Sequence, residues 1–319
     1  MRVFVTGATG AVGTYLVPHL IQRGHQVIGA TRSPNKVDWL RKAGAEPVLL
    51  DGLDAAAVGE AVAHASPDAI IHEATALSGN ADFRHFDRWF ATTNELRTRG
   101  TSHLLAAARA SGVKRMLVQS YTGWNNPRGG GPVKSEADGF DPAPLPDQHE
   151  SLAAMRAMES TVLDAPLEGI VLRHANQYGP GALDTIIGPL KKRMFPIVGG
   201  GGVWSWIHIE DAAIATVDAL ERAKPGVYNV ADDDPAPVRE WLPYLASVVG
   251  APRPFNVPVW LGRLLAGDVA VRMMTEGRGS SNAKAKAEFG WQPTRSSWRQ
   301  GFREVTSSTP RHVQARAVG

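Results

Sequence analysis

The chain has 319 residues, 43% of them hydrophobic, with a formal net charge of +3 and no cysteine. That is enough apolar material for a sizeable core, which excludes a disordered chain, and the missing thiols exclude disulfides and thiolate metal sites. The charge is small and scattered; its longest basic run, Lys191, Lys192 and Arg193, reads as a solvated face rather than a nucleic-acid patch.

The opening MRVFVTGATG runs straight into a strand with no signal-peptide pattern. No stretch reaches the roughly 18 apolar residues of a membrane span, so a soluble, cytoplasmic protein is expected. Mostly aliphatic runs at 2–7 (RVFVTG), 25–32 (HQVIGATR), 45–51 (AEPVLLD), 68–75 (DAIIHEAT) and 113–120 (VKRMLVQS) read as buried strands. Helical patterns lie between them: AVGTYLVPHLIQRG, NKVDWLRKAG, DAAAVGEAVAHA and ELRTRGTSHLLAAARASG. Gly24, Gly44 and Gly112 follow three of these, where a glycine commonly ends a helix. Pro18 falls inside the first and is expected to kink it, at about 3 kcal/mol unless accommodated. Strand–helix alternation of this kind predicts an α/β chain built on a Rossmann-type doubly wound parallel sheet.

The regularity fails over 124–150, WNNPRGGGPVKSEADGFDPAPLPDQHE, which is too long and too rich in proline and glycine for an ordinary connection. A lid or binding loop and simple disorder are both open there. The helical stretch SLAAMRAME and the strand EGIVLRHAN follow, then shorter elements as far as GWQPTRSSWRQGF. The expected organisation is a dinucleotide-binding domain over 1–172, completed by about 203–231, with a smaller C-terminal substrate-binding α/β part over 173–302. Residues 303–319 carry little apolar content and are expected to form a flexible tail.

VTGATGAVG sets Gly7, Gly10 and Gly13 between the first strand and the first helix, with Thr6 ahead and Thr9, Ala11 and Val12 inside the turn. Glycines there allow a tight turn, close approach of the backbone to a pyrophosphate, and close packing of helix on sheet; the helix N-terminus adds N–H groups and a positive dipole end. The strand–turn–helix context turns a common glycine-rich turn into a dinucleotide site. At the end of the second strand an NAD site usually carries a carboxylate for the ribose 2′-hydroxyl. This chain has Thr31 and Arg32 instead, a hydroxyl and a cation suited to a 2′-phosphate. NADP(H) is therefore the expected cofactor, with NAD beside a surface arginine as the alternative.

Taken in order, TGATGAVG, LLDGLD, IIHEATA, Asn94 before GTSHLL, VKRMLVQS, VLRHANQYGPG, WIHIEDAAIATVDAL, GVYNVADDDP and FGWQP form one pattern. The chain resembles the extended short-chain dehydrogenase/reductase superfamily, in its NAD-dependent epimerase/dehydratase group, from about Met1 to Phe302. The resemblance implies cofactor contacts at Asp51, on the adenine amino group, and at Gly52. It implies others at Ala74, Thr75 and Ala76, and at Asn94, Gln119 and His174. The family's chemistry uses a Tyr-x-x-x-Lys pair and a Ser or Thr: the tyrosinate moves the hydroxyl proton, the lysine lowers the tyrosine pKa, and a hydride passes to or from the nicotinamide. A glutamate commonly follows that lysine by four residues. Matched to Glu159, the lysine position is Met155 and the tyrosine position is Ser151, so both are missing.

The family's serine pair at the end of the fifth strand becomes Ser120 followed by Tyr121, the candidate catalytic residues; Tyr121 is either a relocated acid/base or part of the pocket wall. Where nucleotide-sugar members carry an arginine for the substrate phosphates, this chain has Trp204 in WSWIHIED. Trp124, Asn176, Tyr178 and Trp204 are the candidate substrate contacts, favouring a small and relatively apolar alcohol or carbonyl, while Trp206 reads as core. His149 and Lys134 could reach the site only if their loop folds inward. No metal is expected: H-E-x-x-H is absent, His72 reads as packed or cofactor-adjacent, and His208, Glu210 and Asp211 read as the charged start of a helix. The resemblance suggests a homodimer through helices near 96–110 and 151–164, with a small-molecule substrate as partner and neither nucleic acid nor membrane. An NAD(P)-dependent oxidoreductase, epimerase or dehydratase with an altered proton-transfer residue is expected. An inactive sensor of the dinucleotide or another ligand, and a nucleotide-sugar epimerase or dehydratase, are the alternatives.

Overall fold

The computed structural model describes residues 1–77 and 81–307. Seven strands form one parallel sheet: β1 (Arg2–Thr6), β2 (Gln26–Thr31), β3 (Glu46–Leu49), β4 (Ala69–His72), β5 (Arg115–Tyr121), β6 (Glu168–His174) and β7 (Gly226–Val230). Their spatial order is β7-β6-β5-β4-β1-β2-β3. Chain order therefore reverses between β1 and β4, which pair Val3 with Ala69 and Thr6 with His72. A doubly wound sheet binds its ligand at such a reversal, outside the carboxyl ends of the strands.

Nearly every position of the central strands is buried, as continuous aliphatic runs require of a sheet covered on both faces. One face packs on α1 (Gly13–Gln22), α2 (Val37–Lys42) and α8 (Ile209–Arg222), through Leu16, Leu20, Leu40 and Val217. The other packs on α3 (Ala55–Ala65), α5 (Thr101–Ala110) and α6 (His149–Leu163), through Val58, Leu104, Met158 and Val162. Pro18 is exposed on α1, and the helix continues past it to Gln22. Helix α4 (Phe86–Glu95) passes into α5 through a π turn, Leu96–Gly100. Such wide turns sit preferentially at functional sites.

The stretch 124–150 is ordered rather than structureless. Val133–Lys134 forms a short parallel pair with Gly279–Ser280, and single turns of 3-10 helix occur at Glu136–Asp138 and Pro146–Gln148. Lys134 is buried, its Nζ donating to the Gly129 carbonyl and lying 3.4 Å from Asp138 Oδ1. It stabilises the loop and does not reach inward to the cleft. His149 is exposed and its Nε2 lies 3.3 Å from the Pro144 carbonyl oxygen.

Beyond β6, Asn176–Tyr178 pairs with Trp206–His208 and Ile197–Val198 with Asn256–Val257, beside helices α7 (Asp184–Lys191), α9 (Val238–Val248) and α10 (Val259–Glu276). Trp206, Trp241, Trp298 and Phe302 fill the core of this part. Helix α10 is broken at Gly267, which has φ +85°. After α11 (Ala283–Phe289), α12 (Trp298–Ser307) carries the chain in helical form through the first residues of the stretch expected to be a tail; 308–319 lie outside the described residues.

Candidate active site

β1 delivers the chain into the glycine loop at Gly7, with φ +74°, where a Cβ would lie 2.6 Å from the Glu73 carbonyl carbon. At Gly13 a Cβ would lie 2.2 Å from the Gly7 carbonyl oxygen, so any larger residue would push α1 off the strand. Gly10 has only one such neighbour, at 3.2 Å, and its open side faces the cleft. The N–H groups of Ala11 and Val12 find no acceptor among the described residues. They lie at the N-terminus of α1, where free amides and the helix dipole together make an anion site. A phosphate is the group that the spacing, the free donors and the open glycine fit.

Gly7, Thr9, Gly10, Ala11, Val12 and Gly13 line one cleft at the sheet reversal. Arg32, Gly52, Ala74, Thr75 and Gln119 line the same cleft. At the far end of its β2 rim, Thr9 Oγ1 lies 3.0 Å from Thr31 Oγ1, and Ser33 N–H donates to Thr31 Oγ1 at 3.2 Å. Arg32 is exposed and has no ion-pair partner among the described residues. Asp51 lies just outside the cleft lining, where its Oδ1 accepts from Leu53 N–H at 3.1 Å. Ala76 also lies outside it, donating its N–H to Thr93 Oγ1 at 3.0 Å.

His72 closes the floor. Its Nε2 lies 3.3 Å from the Leu96 carbonyl of the π turn, and its Nδ1 lies 2.6 Å from Thr6 Oγ1. A carbonyl can only accept, so Nε2 carries the proton and Nδ1 accepts from the threonine hydroxyl. Burial drives its pKa down to about 4, so the ring is neutral and ties β1, β4 and the π turn together. Next to it is a residue that the sequence reading passed over. The Glu73 carboxyl is buried beside Thr216 of α8, with Oε2 unpartnered among the described residues, and burial raises its pKa to about 8. Its signal was a charge set in the apolar run IIHEAT at the mouth of the glycine loop.

Strand alternation divides the end of β5. Gln119 faces the cleft, and Ser120 points to the opposite side. There Ser120 Oγ donates to Glu159 Oε1 at 2.6 Å, and Arg173 Nη2 reaches Glu159 Oε2 at 2.6 Å. Ser120, expected as a catalytic residue, is placed with its hydroxyl in a buried ion pair beneath α6 and outside the cleft lining. Tyr121 returns to the cleft side, donates to Asn176 Oδ1 at 2.7 Å, and stacks on Trp124 with ring centroids 6.3 Å apart. Burial pushes its hydroxyl well above the usual tyrosine range, which opposes a tyrosinate. As placed, Tyr121 is a neutral donor in the pocket wall.

Three further candidate residues lie outside the cleft lining. His174 is buried at the end of β6 with both ring nitrogens unpartnered among the described residues, and it lies outside the cleft lining. Burial lowers its pKa to about 3, so it is a neutral packed histidine. Tyr178 is 0% exposed, packed against Phe302 and Gly301 of α12, and lies outside the lining of both the cleft and the crevice at Tyr121. Asn94 donates to Ser151 Oγ at 3.2 Å instead of lining the cleft. Of the helix-start group, His208 does cap α8, its Nδ1 accepting from Glu210 N–H at 3.2 Å.

Ser151 and Met155 occupy the first turns of α6, and both are 0% exposed. Asp87 of α4 caps this helix from outside, accepting from Glu150 N–H and Ser151 N–H, each at 2.9 Å, and from Ser151 Oγ at 2.5 Å. A carboxylate there satisfies orphan amides and favours the positive end of the dipole. No acid, base or cation projects from these two positions.

Tyr121, Trp124, Asn176 and Trp204 line a narrow crevice that shares no lining residue with the glycine-loop cleft. Trp204 Nε1 donates to the Met273 carbonyl at 2.9 Å, fixing the indole, and Trp206 lies behind it in the core. Among the described residues there is no group of three or more potential metal ligands, and no helix is long and apolar enough to cross a membrane.

The NAD dependent epimerase/dehydratase family model matches residues 3–231. The chain is 38% identical over 307 residues to a Streptomyces 3-diazoavenalumate denitrifying reductase, covering 95% of this chain and 99% of that protein. It is 31% identical over 270 residues to the 2-alkyl-3-oxoalkanoate reductase of Stenotrophomonas maltophilia, covering 79% and 77%. In fold it resembles the UDP-glucose 4-epimerase of Thermotoga maritima, solved with UDP-glucose, at a TM-score of 0.75 and 22% identity over 96% of this chain and 98% of that one. The Thermus thermophilus UDP-glucose 4-epimerase, solved with NAD, gives 0.72 and 23%, with the same coverage.

Proposed function

The chain belongs to the NAD dependent epimerase/dehydratase family of enzymes, and from that membership we propose that it is an NADP(H)-dependent reductase working without a tyrosine–lysine proton relay. The observation that carries this reading is the contrast within one molecule. The dinucleotide cleft keeps its glycine loop and free amides, while Ser151 and Met155 are sealed in the core where the resemblance expects tyrosine and lysine.

Ala11 and Val12 N–H would hold the pyrophosphate, Gly52 and Asp51 the adenine side, and Arg32 with Thr31 the 2′-phosphate, for which no competing carboxylate stands at the end of β2. A bound nicotinamide would supply a hydride near Gln119 and Tyr121. Tyr121, whose hydroxyl proton is given to Asn176 Oδ1, then offers the substrate its ring and an acceptor lone pair, and Trp124 and Trp204 exclude water from the crevice. Epimerisation or alcohol oxidation needs a base to move a hydroxyl proton, and none of the described residues lining the crevice at Tyr121 is charged.

The substrate best suited to such a site accepts hydride without needing a proton. The Streptomyces relative is named for reduction of a diazo compound with loss of nitrogen, which fits that requirement. An aryl diazonium takes hydride on its terminal nitrogen to give an aryl diazene, which releases N2 and keeps the hydrogen on the ring carbon, while NADPH becomes NADP+. An aryl diazonium on an otherwise apolar body is therefore the proposed substrate, and a homodimer through α5 and α6 the proposed assembly. The test follows NADPH absorbance with an aryl diazonium salt and with matched aryl ketones, scoring the denitrified arene. Turnover of the diazonium and not the ketones supports the reading; tight NADPH binding with no turnover of either favours a sensor.

A further inference from the structure

A second cavity, of about 590 Å³, lies beyond the crevice in the C-terminal part. That size is typical of pockets for small organic ligands, about 300–1,000 Å³. Phe83, Pro189, Phe195, Val198 and Met274 make its walls apolar. Trp204 and Met273 line both this cavity and the crevice at Tyr121, so they form a partition between the two.

Charge is confined to the mouth. Asp82 is engaged by His85 and Arg88, and Asp184 sits in the first turn of α7, where the helix dipole favours it. Arg84 is committed to the carbonyl oxygens of Leu264 and Leu265, both at 2.6 Å. Lys192 at the end of α7 is exposed, lines the cavity, and has no carboxylate partner among the described residues. The rim continues the apolar lining outward: Met194 and Leu265 both line the cavity and are 70% and 58% exposed. A cavity with apolar walls and one free ammonium at its mouth matches a ligand that is apolar along its length and anionic at one end.

We propose that this cavity holds the body of the substrate and selects an elongated, largely apolar carboxylic acid. The carboxylate meets Lys192, and the far end of the apolar body lies against the Trp204–Met273 partition, on whose other side are Tyr121 and Asn176. The direction of the substrate rests on the reductase reading above; the preference of the cavity for an acid does not, because binding there precedes any hydride transfer.

The experiment is calorimetry on the full chain without nucleotide, using phenylhexanoate and its uncharged isostere phenylhexanamide. The acid is expected to bind about three- to fivefold more tightly than the amide, the size of one partly solvated ion pair. Lys192→Met should bring the acid down to the level of the amide and leave the amide unchanged. Ala270→Trp, which fills the cavity, should abolish binding of both probes while NADP+ still binds, showing that the variant is folded. Equal affinity for acid and amide, an acid preference that survives Lys192→Met, retained probe binding in a folded Ala270→Trp, or no heat with either probe overturns the proposal. If the probes behave as expected and no diazonium is reduced, the reductase reading fails and the acid-binding cavity stands.

Discussion

The Glu73→Gln substitution gives the sharpest physical prediction. The Glu73 carboxyl is buried behind the glycine loop with one oxygen unpartnered among the described residues, and its pKa rises from an ordinary 4.5 to about 8. The folded chain therefore binds this proton more tightly than the unfolded chain does. Between those two values the folded state carries the extra proton, so its contribution to stability is complete below pH 4.5, falls as pH rises, and is gone above about pH 8. One proton corresponds to about 1.4 kcal/mol per pH unit, so the full loss is on the order of 5 kcal/mol. Glutamine has nearly the same shape and cannot ionise. Urea unfolding of the wild type and Glu73→Gln from about pH 5 to about pH 9 should show the variant gaining on the wild type at close to that slope and levelling off near the top of the range. Asp232, whose pKa burial also raises to about 8, contributes equally to both proteins and cancels in the difference. A stability difference that stays constant across the range would refute the reasoning.

Arg32→Ala should weaken NADP+ by roughly ten- to a hundredfold, the range of a lost charge-assisted contact of about 1.5–3 kcal/mol, and leave NAD+ nearly unchanged by calorimetry. Tyr121→Phe should lower kcat less than about threefold and shift no pKa in the pH–rate profile, because a buried neutral tyrosine is not the proton source; a far larger loss together with a missing alkaline limb would make it an acid. Arg173→Met strands the Glu159 carboxylate beneath α6 and should cost about 3–5 kcal/mol in denaturant unfolding, whereas changing both residues together to apolar ones should recover much of it.

The glycine loop was legible because its requirements are local: Gly7 and Gly13 are constrained by atoms close in sequence or on the adjacent strand end. The parallel sheet was legible for the same reason, since buried strands and amphipathic helices declare themselves by period. The side to which Ser120 points was legible from alternation along β5, which sets it opposite Gln119 of the cleft and Tyr121 of the crevice. Tyr178 was not legible, since what buries it is Gly301, more than a hundred residues away. The order of 124–150 is likewise imposed by Gly279–Ser280, a pairing that no local composition announces. Glu73 shows the reverse case: a charge in an apolar run was visible, but the hydroxyl it meets, Thr216, lies on a distant helix.

The cap that Asp87 places on α6 bears on how this lineage can change. A tyrosine at position 151 would strip the Asp87 carboxylate of its shortest contact and take the acceptor from Asn94, while pushing a ring into a site that has no room. A lysine at position 155 would arrive in the buried interior one turn from Glu159, whose carboxylate is already committed to Arg173 and Ser120. Each reversion is harmful alone, and the two together still demand new partners on α4. Selection acting one substitution at a time meets a valley in both directions, so the core beneath α6 works as a ratchet that holds descendants of this chain to whatever chemistry its cleft now performs.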